Sequence, residues 1–255
     1  MNENFRIEKA QNVATLWIDR QEKRNTLTVA MREALPAIFQ EFDREDEVRV
    51  VVIRGAGGQA FSAGGDLTQF LELDPWELEQ WGDTLTWAER CRKPVIAAID
   101  GFTMGAGLEL ALACDFRIAT HKSEFAFPEI RLGMIPGSGG TQRALRLIGA
   151  TRAKLFMMTG QRIKGPQAEE WGLITRSVPE DQFDAAVNDL AAELAAMPPL
   201  ALRTLKSVLN LGADAPLETA IALERKAYAW LRSTADYEEG VTAFLEKRAP
   251  KFQGK

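Results

Sequence analysis

The 255-residue chain reads as an α/β protein with a layered core and a helical C-terminal region. Two patterns predict this. As far as residue 178, short β-branched and apolar runs alternate with helix-like segments. From Glu180 onward the chain is helical almost throughout. The length suffices for one sizeable core with an appendage. The boundary falls at 178–181, giving an α/β core over 1–180 and a helical region over 181–255.

The elements follow in order. Residues 13–18, 48–53, 95–99, 116–119 and 173–178 carry the β-type runs. The first helix spans about 28–44. Val95-Ile96-Ala97-Ala98-Ile99 is broken by Gly101, and residues 108–114 read as a buried helix. In the tail, helices are expected at 181–196, 200–211, 217–233 and 237–247. Met197-Pro198-Pro199 and Gly212-Ala213-Asp214-Ala215-Pro216 punctuate them. Low-complexity segments and short repeats are absent. Periodicity by itself does not tell one α/β architecture from another.

Composition points to a soluble, cytoplasmic protein. No apolar stretch is long enough to span a bilayer, and the N-terminus carries neither a signal nor a transit pattern. Cys91 and Cys114 are expected as reduced thiols. The single histidine, His121, lies in a polar loop, which excludes a histidine-based triad and offers no metal-ligand cluster. A net charge of −5 argues against nucleic acid. The first helix agrees, because Arg32 and Arg44 are outnumbered by Glu33, Glu41, Asp43, Glu45, Asp46 and Glu47.

The chemistry concentrates around two glutamates. Glu109 is a lone charge in the small, apolar run Met104-Gly105-Ala106-Gly107-Leu108-Glu109-Leu110-Ala111. Burying it is costly unless something uses it. Glu129 follows Phe127-Pro128 and precedes Ile130-Arg131-Leu132-Gly133. Two carboxylates in different surroundings can divide the roles of base and acid. Gly105-Ala106-Gly107 sits at a helix start, where backbone amides lack partners and favour an anion. A second glycine turn, Phe61-Ser62-Ala63-Gly64-Gly65-Asp66-Leu67, follows the run at 48–53. Alone, that turn is an ordinary turn, and Glu129 an ordinary first-turn carboxylate. Together they give two amide donors on two loops beside two carboxylates. That set suits a thioester carbonyl turning into an enolate.

In this order the chain resembles the enoyl-CoA hydratase/isomerase, or crotonase, superfamily. The resemblance runs from Asp19-Arg20 and Lys23-Arg24-Asn25-Thr26-Leu27 through the two glycine turns. It continues in Pro136-Gly137-Ser138-Gly139-Gly140-Thr141-Gln142-Arg143 and Trp171-Gly172-Leu173-Ile174. It closes at Glu239-Gly240-Val241-Thr242-Ala243-Phe244-Leu245-Glu246-Lys247-Arg248. It implies a spiral of ββα turns with a C-terminal helical trimerisation region, assembled as a trimer or a dimer of trimers. It implies oxyanion-hole amides at Gly65 and Ala106, with Ala63 alongside, and catalytic carboxylates at Glu109 and Glu129. Gly137 would help hold the reacting water. Arg24, in a basic turn with Lys23, is a candidate for coenzyme A. Phe244 and Lys247 would meet the coenzyme A bound to a neighbouring subunit.

Both glutamates being present favours a 2-enoyl-CoA hydratase over an isomerase or another CoA-thioester lyase or hydrolase. The same pair and the acidic first helix count against a non-catalytic CoA-binding or RNA-binding relative. Neither a metal nor a redox cofactor is expected, since coenzyme A arrives as part of the substrate. Residues 68–90 hold Trp76, Trp81 and Trp87, which with Phe70, Leu71 and Leu85 either line an acyl pocket or pack a helix onto the core.

Overall fold

The computed structural model describes residues 3–255. Among the described residues ten strands form two sheets: β1 (Phe5–Ala10), β2 (Val13–Ile18), β3 (Val50–Gly55), β4 (Ala60–Ser62), β5 (Val95–Ile99), β6 (Phe102–Met104), β7 (Phe116–Thr120), β8 (Glu124–Ala126), β9 (Ile163–Lys164) and β10 (Arg176–Val178). The larger sheet runs in the order β1-β2-β3-β5-β7-β10, the smaller in the order β4-β6-β8-β9. Within the large sheet β1 is antiparallel to β2, and every other pair is parallel. In the small sheet β4, β6 and β8 are parallel, while β9 is antiparallel.

From β3 to β8 successive strands thus alternate between the sheets. The chain lays one strand in the large sheet, turns a corner into the small sheet, then leaves through a helix or turn. Each pass is one ββα turn of a spiral, and this alternation separates the fold from a doubly wound sheet. The helices are α1 (Val29–Arg44), α2 (Leu67–Phe70), α3 (Pro75–Trp81), α4 (Trp87–Arg90), α5 (Ala106–Ala113), α6 (Gly140–Thr159) and α7 (Gly165–Trp171), then α8 (Phe183–Ala196), α9 (Pro199–Gly212), α10 (Leu217–Leu231) and α11 (Ala235–Glu246).

Helix α1 starts where Thr28 accepts a hydrogen bond from the Met31 N–H at 3.2 Å, a cap worth about 1 kcal/mol. Its buried stripe is Met31, Leu35, Ile38, Phe39 and Phe42. These join Leu16, Ile53, Phe61, Val95 and Leu108 in the main core. Helix α8 packs Phe183, Val187 and Ala191 against Val50, Val52, Ile96 and Ile118 on the other face of the large sheet. Both faces of the parallel strands are therefore covered, and β5 is buried at every position. Helix α9 is tied down by Lys206, whose ammonium meets the Asp115 carboxylate at 2.7 Å and the carbonyls of Ala88 and Lys93.

Several expected boundaries move. The run at 48–53 becomes a strand at Val50–Gly55, and the run at 173–178 is a strand only over Arg176–Val178. The small sheet and β1 are additional. Its three parallel strands have three residues each, too short for an alternating pattern to register. Among the described residues no helix is long and apolar enough to cross a membrane.

Candidate active site

Four segments meet at a cavity of about 170 Å³: the loop after β4, the start of α5, the 3-10 turn Pro128–Leu132, and the bend at Gly137 and Ser138 before α6. Leu27 fixes the first. Its N–H donates to the Gly64 carbonyl at 2.8 Å, and its carbonyl accepts from the Asp66 N–H at 3.0 Å. Gly65 lies between those two contacts, so its own N–H faces away from Leu27, and Gly65 lines the cavity. Ala63 lines it too, with its N–H on the Arg24 carbonyl at 3.0 Å.

Ala106 is the first residue of α5, so its N–H has no intrahelical acceptor and sits at the positive end of the helix. The two loops touch: a Cβ on Gly64 would lie 3.9 Å from the Ala106 nitrogen. Gly105 makes this junction. Its φ of +49° suits glycine, and a Cβ there would stand 2.7 Å from Glu129 Oε1. The residue before Ala106 must therefore be small for the Glu129 carboxyl to fit.

Every residue of α5 is buried, and Glu109 is 3% exposed. Its Oε1 accepts from the Ser138 N–H at 2.6 Å and the Gly140 N–H at 3.0 Å. Helix α6 begins at a glycine that offers no side-chain cap, so the Glu109 carboxylate caps α6 from outside. Both amides meet the same carboxylate oxygen. Glu129 faces the opposite situation. It is half-buried, and its Oε2 is sealed from water without a hydrogen-bond partner. Burial pushes its carboxyl up to about 7, with the nearby Glu109 charge adding to the rise and a bond from its own backbone opposing it. The arrangement places two carboxyls in unlike surroundings, one holding two backbone amides and one raised by burial, beside the amides of Gly65 and Ala106.

Arg32 also enters this cavity from α1. Its Nη2 donates to the Ser138 Oγ at 2.7 Å and the Trp81 carbonyl at 2.8 Å, and its guanidinium lies 5.6 Å from the Trp81 ring centroid. Burial draws the guanidinium below its ordinary value, and Glu109 draws it back. Arg32, Ser138 and Gly105 are absent from the site expected from sequence. For Arg32 a pattern existed: it falls beside the apolar stripe of α1, where a buried side chain is due.

Of the expected residues, Glu109, Glu129, Gly65, Ala106, Ala63 and Gly137 line one cavity. Arg24 stands behind the Ala63 loop, exposed and 5.8 Å from the Phe102 ring. Phe244, 81% exposed, and Lys247 lie on or just past α11 and do not line the cavity of their own chain. In the segment 68–90, Phe70 lines the cavity and packs edge-on against Trp81 at 6.1 Å. Trp76 is 74% exposed, Leu71 is 90% exposed, and Leu85 belongs to the core. A larger cavity of about 430 Å³, lined by Leu112, Leu205 and Leu209, has its nearby Asp115–Lys206 and Glu89–Arg143 charges already paired. It exceeds the first cavity in size, but the unpaired donors and the two unlike carboxyls select the smaller one.

Residues 8–255 match the family model described as enoyl-CoA hydratase/isomerase. The chain is 34% identical over 249 residues to the short-chain-enoyl-CoA hydratase of Clostridium acetobutylicum, covering 96% of this chain and 95% of that one. It is 34% identical over 261 residues to the crotonyl-CoA hydratase of Syntrophomonas wolfei, covering 99% of each. The crystal structure of enoyl-CoA hydratase from Bacillus anthracis superposes with a TM-score of 0.94 at 36% identity, covering 99% of this chain and 100% of that one. With the alternating spiral and paired carboxyls already in place, these matches establish that the chain belongs to the enoyl-CoA hydratase/isomerase, or crotonase, family.

Proposed function

We propose that the protein is a 2-enoyl-CoA hydratase, a lyase that adds water across the α,β double bond of an acyl-CoA thioester. The observation that carries the reading is the contrast between the two carboxyls: Glu109 accepts two backbone amides, whereas Glu129 is raised to about 7 by burial. The thioester carbonyl sits between the amides of Gly65 and Ala106. Glu109 takes a proton from water as its oxygen bonds to Cβ. The electron pair of the double bond moves toward the carbonyl, whose enolate charge the two amides stabilise. Glu129 gives its proton to Cα, and proton exchange between the carboxyls and water restores both. The amides bind the enolate more strongly than the ground-state carbonyl, which accelerates the step. Each step uses only the two carboxyls, the amides and water, and coenzyme A is the handle of the substrate.

The relatives named short-chain-enoyl-CoA and crotonyl-CoA hydratase support this reading. The test is loss of the conjugated thioester absorbance with crotonyl-CoA, set against conversion of a 3-enoyl-CoA. Turnover of the 3-enoyl substrate alone would make the protein an isomerase.

The reading extends to assembly. Leu209, Leu217, Tyr228, Phe244 and Leu245 on α9–α11 are all more than half exposed, an apolar surface that a homotrimer or a pair of trimers would cover. In that assembly Phe244 and Lys247 reach the coenzyme A of a neighbouring subunit. The protein works in the cytoplasm, without a nucleic-acid or membrane partner.

A further inference from the structure

Arg32 is 5% exposed, yet no carboxylate oxygen of a described residue lies within the 4.0 Å of an ion pair. Its acceptors are all neutral: the Trp81 carbonyl, the Ser138 hydroxyl and, at 3.4 Å, the Thr84 hydroxyl. Lys206, equally buried, has a carboxylate at 2.7 Å. The Nη1 of Arg32 donates to no described residue, but it is not among the sealed, unpartnered atoms. The opening that Arg32 lines is the catalytic cavity. Nη1 of this desolvated cation thus has no acceptor among the described residues, and the side chain that carries it lines the space that receives the acyl group.

The apolar walls of the cavity are Leu67, Phe70, Leu78, Leu132, Met134 and Ile135. Such walls suit methylene groups and give an anion nothing. We propose that Arg32 binds a carboxylate at the far end of the acyl chain. The substrate class is then a short 2-enoyl-CoA that is the monothioester of an unsaturated diacid. This rests on the reading that the cavity holds the acyl part of a CoA thioester.

Ser138 sets the length. Its N–H is 2.6 Å from Glu109 Oε1, and its Oγ is 2.7 Å from Arg32 Nη2. With about 3 Å between those two atoms of one serine, Arg32 lies at most roughly 8 Å from the base. Glu109 acts on Cβ through one water. The second carboxyl carbon therefore falls about one to three carbons beyond Cβ, giving an acyl chain of roughly four to six carbons. The guanidinium is already desolvated by the fold. A carboxylate arriving there gains a charge-assisted contact from Nη1 at the cost of its own desolvation alone.

A different role for Arg32, bracing Ser138 and so Glu109, predicts equal effects on all substrates. Glutaryl-CoA and pentanoyl-CoA separate the two. They differ by the terminal carboxylate, and neither has a double bond to hydrate, so binding is read without turnover. Titration calorimetry on the full-length protein should show glutaryl-CoA bound about 10- to 100-fold more tightly. In Arg32→Met that preference should collapse to within about threefold, and Arg32→Lys should retain part of it. Arg32→Gln, which keeps a neutral hydrogen bond toward Ser138, serves if Arg32→Met does not fold. Tighter binding of pentanoyl-CoA by the wild type would overturn the proposal. So would equal weakening of both ligands in the variants, which would leave Arg32 as a brace. Hydration of crotonyl-CoA, measured alongside, tests the hydratase reading separately.

Discussion

Glu129→Gln should both inactivate the enzyme and stabilise it above neutral pH. In the folded chain burial raises the Glu129 carboxyl from an ordinary 4.5 to about 7. Between those values the folded protein keeps a proton that the unfolded chain releases. Stability therefore falls as pH rises from about 4.5 to 7, and the full penalty persists above 7. A shift of that size corresponds to about 3 kcal/mol. Glu129 is only half-buried, so solvent screening reduces this to roughly 1–3 kcal/mol. Glutamine cannot ionise and escapes the penalty. The variant should match the wild type in denaturant unfolding at pH 4.5 and exceed it by roughly 1–3 kcal/mol at pH 8. Its hydration of crotonyl-CoA should fall about 10²–10⁴-fold, the loss expected for a general acid. The wild-type kcat/KM should itself decline as pH rises through about 7, because the free enzyme then loses the proton it must donate. A Gln variant with wild-type turnover would refute the acid assignment. One whose stability gain is the same at pH 4.5 and 8 would refute burial of an ionisable group as its cause.

Glu109→Gln should cost about 10²–10⁴-fold in hydration, and combined with Glu129→Gln the loss should be far below the product of the two. Gly105→Ala places a methyl at the point 2.7 Å from Glu129 Oε1, on backbone with φ +49°. Rate should drop at least about 100-fold, with a stability loss of roughly 1–3 kcal/mol by thermal unfolding. Ala106→Gly keeps the amide, so kcat should stay within about threefold; a larger drop would give the methyl group a role. Lys247→Ala should raise KM for acyl-CoA at constant kcat and spare a pantetheine thioester. Equal effects on both would leave Lys247 no phosphate to meet.

The sequence carried the long elements and the loops rich in glycine. The strands β2, β5 and β7, helix α1 and the four tail helices have periods long enough to read. Strands β4, β6 and β8 do not, because three residues hold barely one alternation. Strand β1 is mostly exposed, so no apolar alternation marks it. At the site, glutamates in apolar company are visible in the sequence because burial of a charge is rare. Ser138 gives no such mark, since the group that holds Glu109 is its backbone N–H, which every residue but proline has. Arg32 was hidden for another reason. Counting charges along α1 treats it as surface, whereas its face is fixed by tertiary contacts with Trp81 and Ser138.

The spacing of the two glutamates follows from the spiral itself. Strands β4, β6 and β8 are adjacent and parallel, and each comes from a successive turn of the chain. Gly65 lies just past the end of β4, Ala106 just past β6, and Glu129 just past β8. Gly65, Ala106 and Glu129, the proposed hole amides and proposed acid, thus stand at the same ends of three neighbouring strands, the end at which open parallel sheets commonly hold ligands. Glu109 joins them one helical turn into α5. The separation of Glu109 and Glu129 in sequence is therefore about one turn of the spiral, passing out along α5 and back along β7 and β8. This is also why their environments differ. Glu109 lies inside a helix, where it can reach the amides of Ser138 and Gly140 beside the start of α6. Glu129 lies on a 3-10 turn over Gly105, where no donor among the described residues reaches its second oxygen. The same backbone path that brings the two carboxyls together gives them unlike surroundings, and burial raises only the one on the turn to about 7.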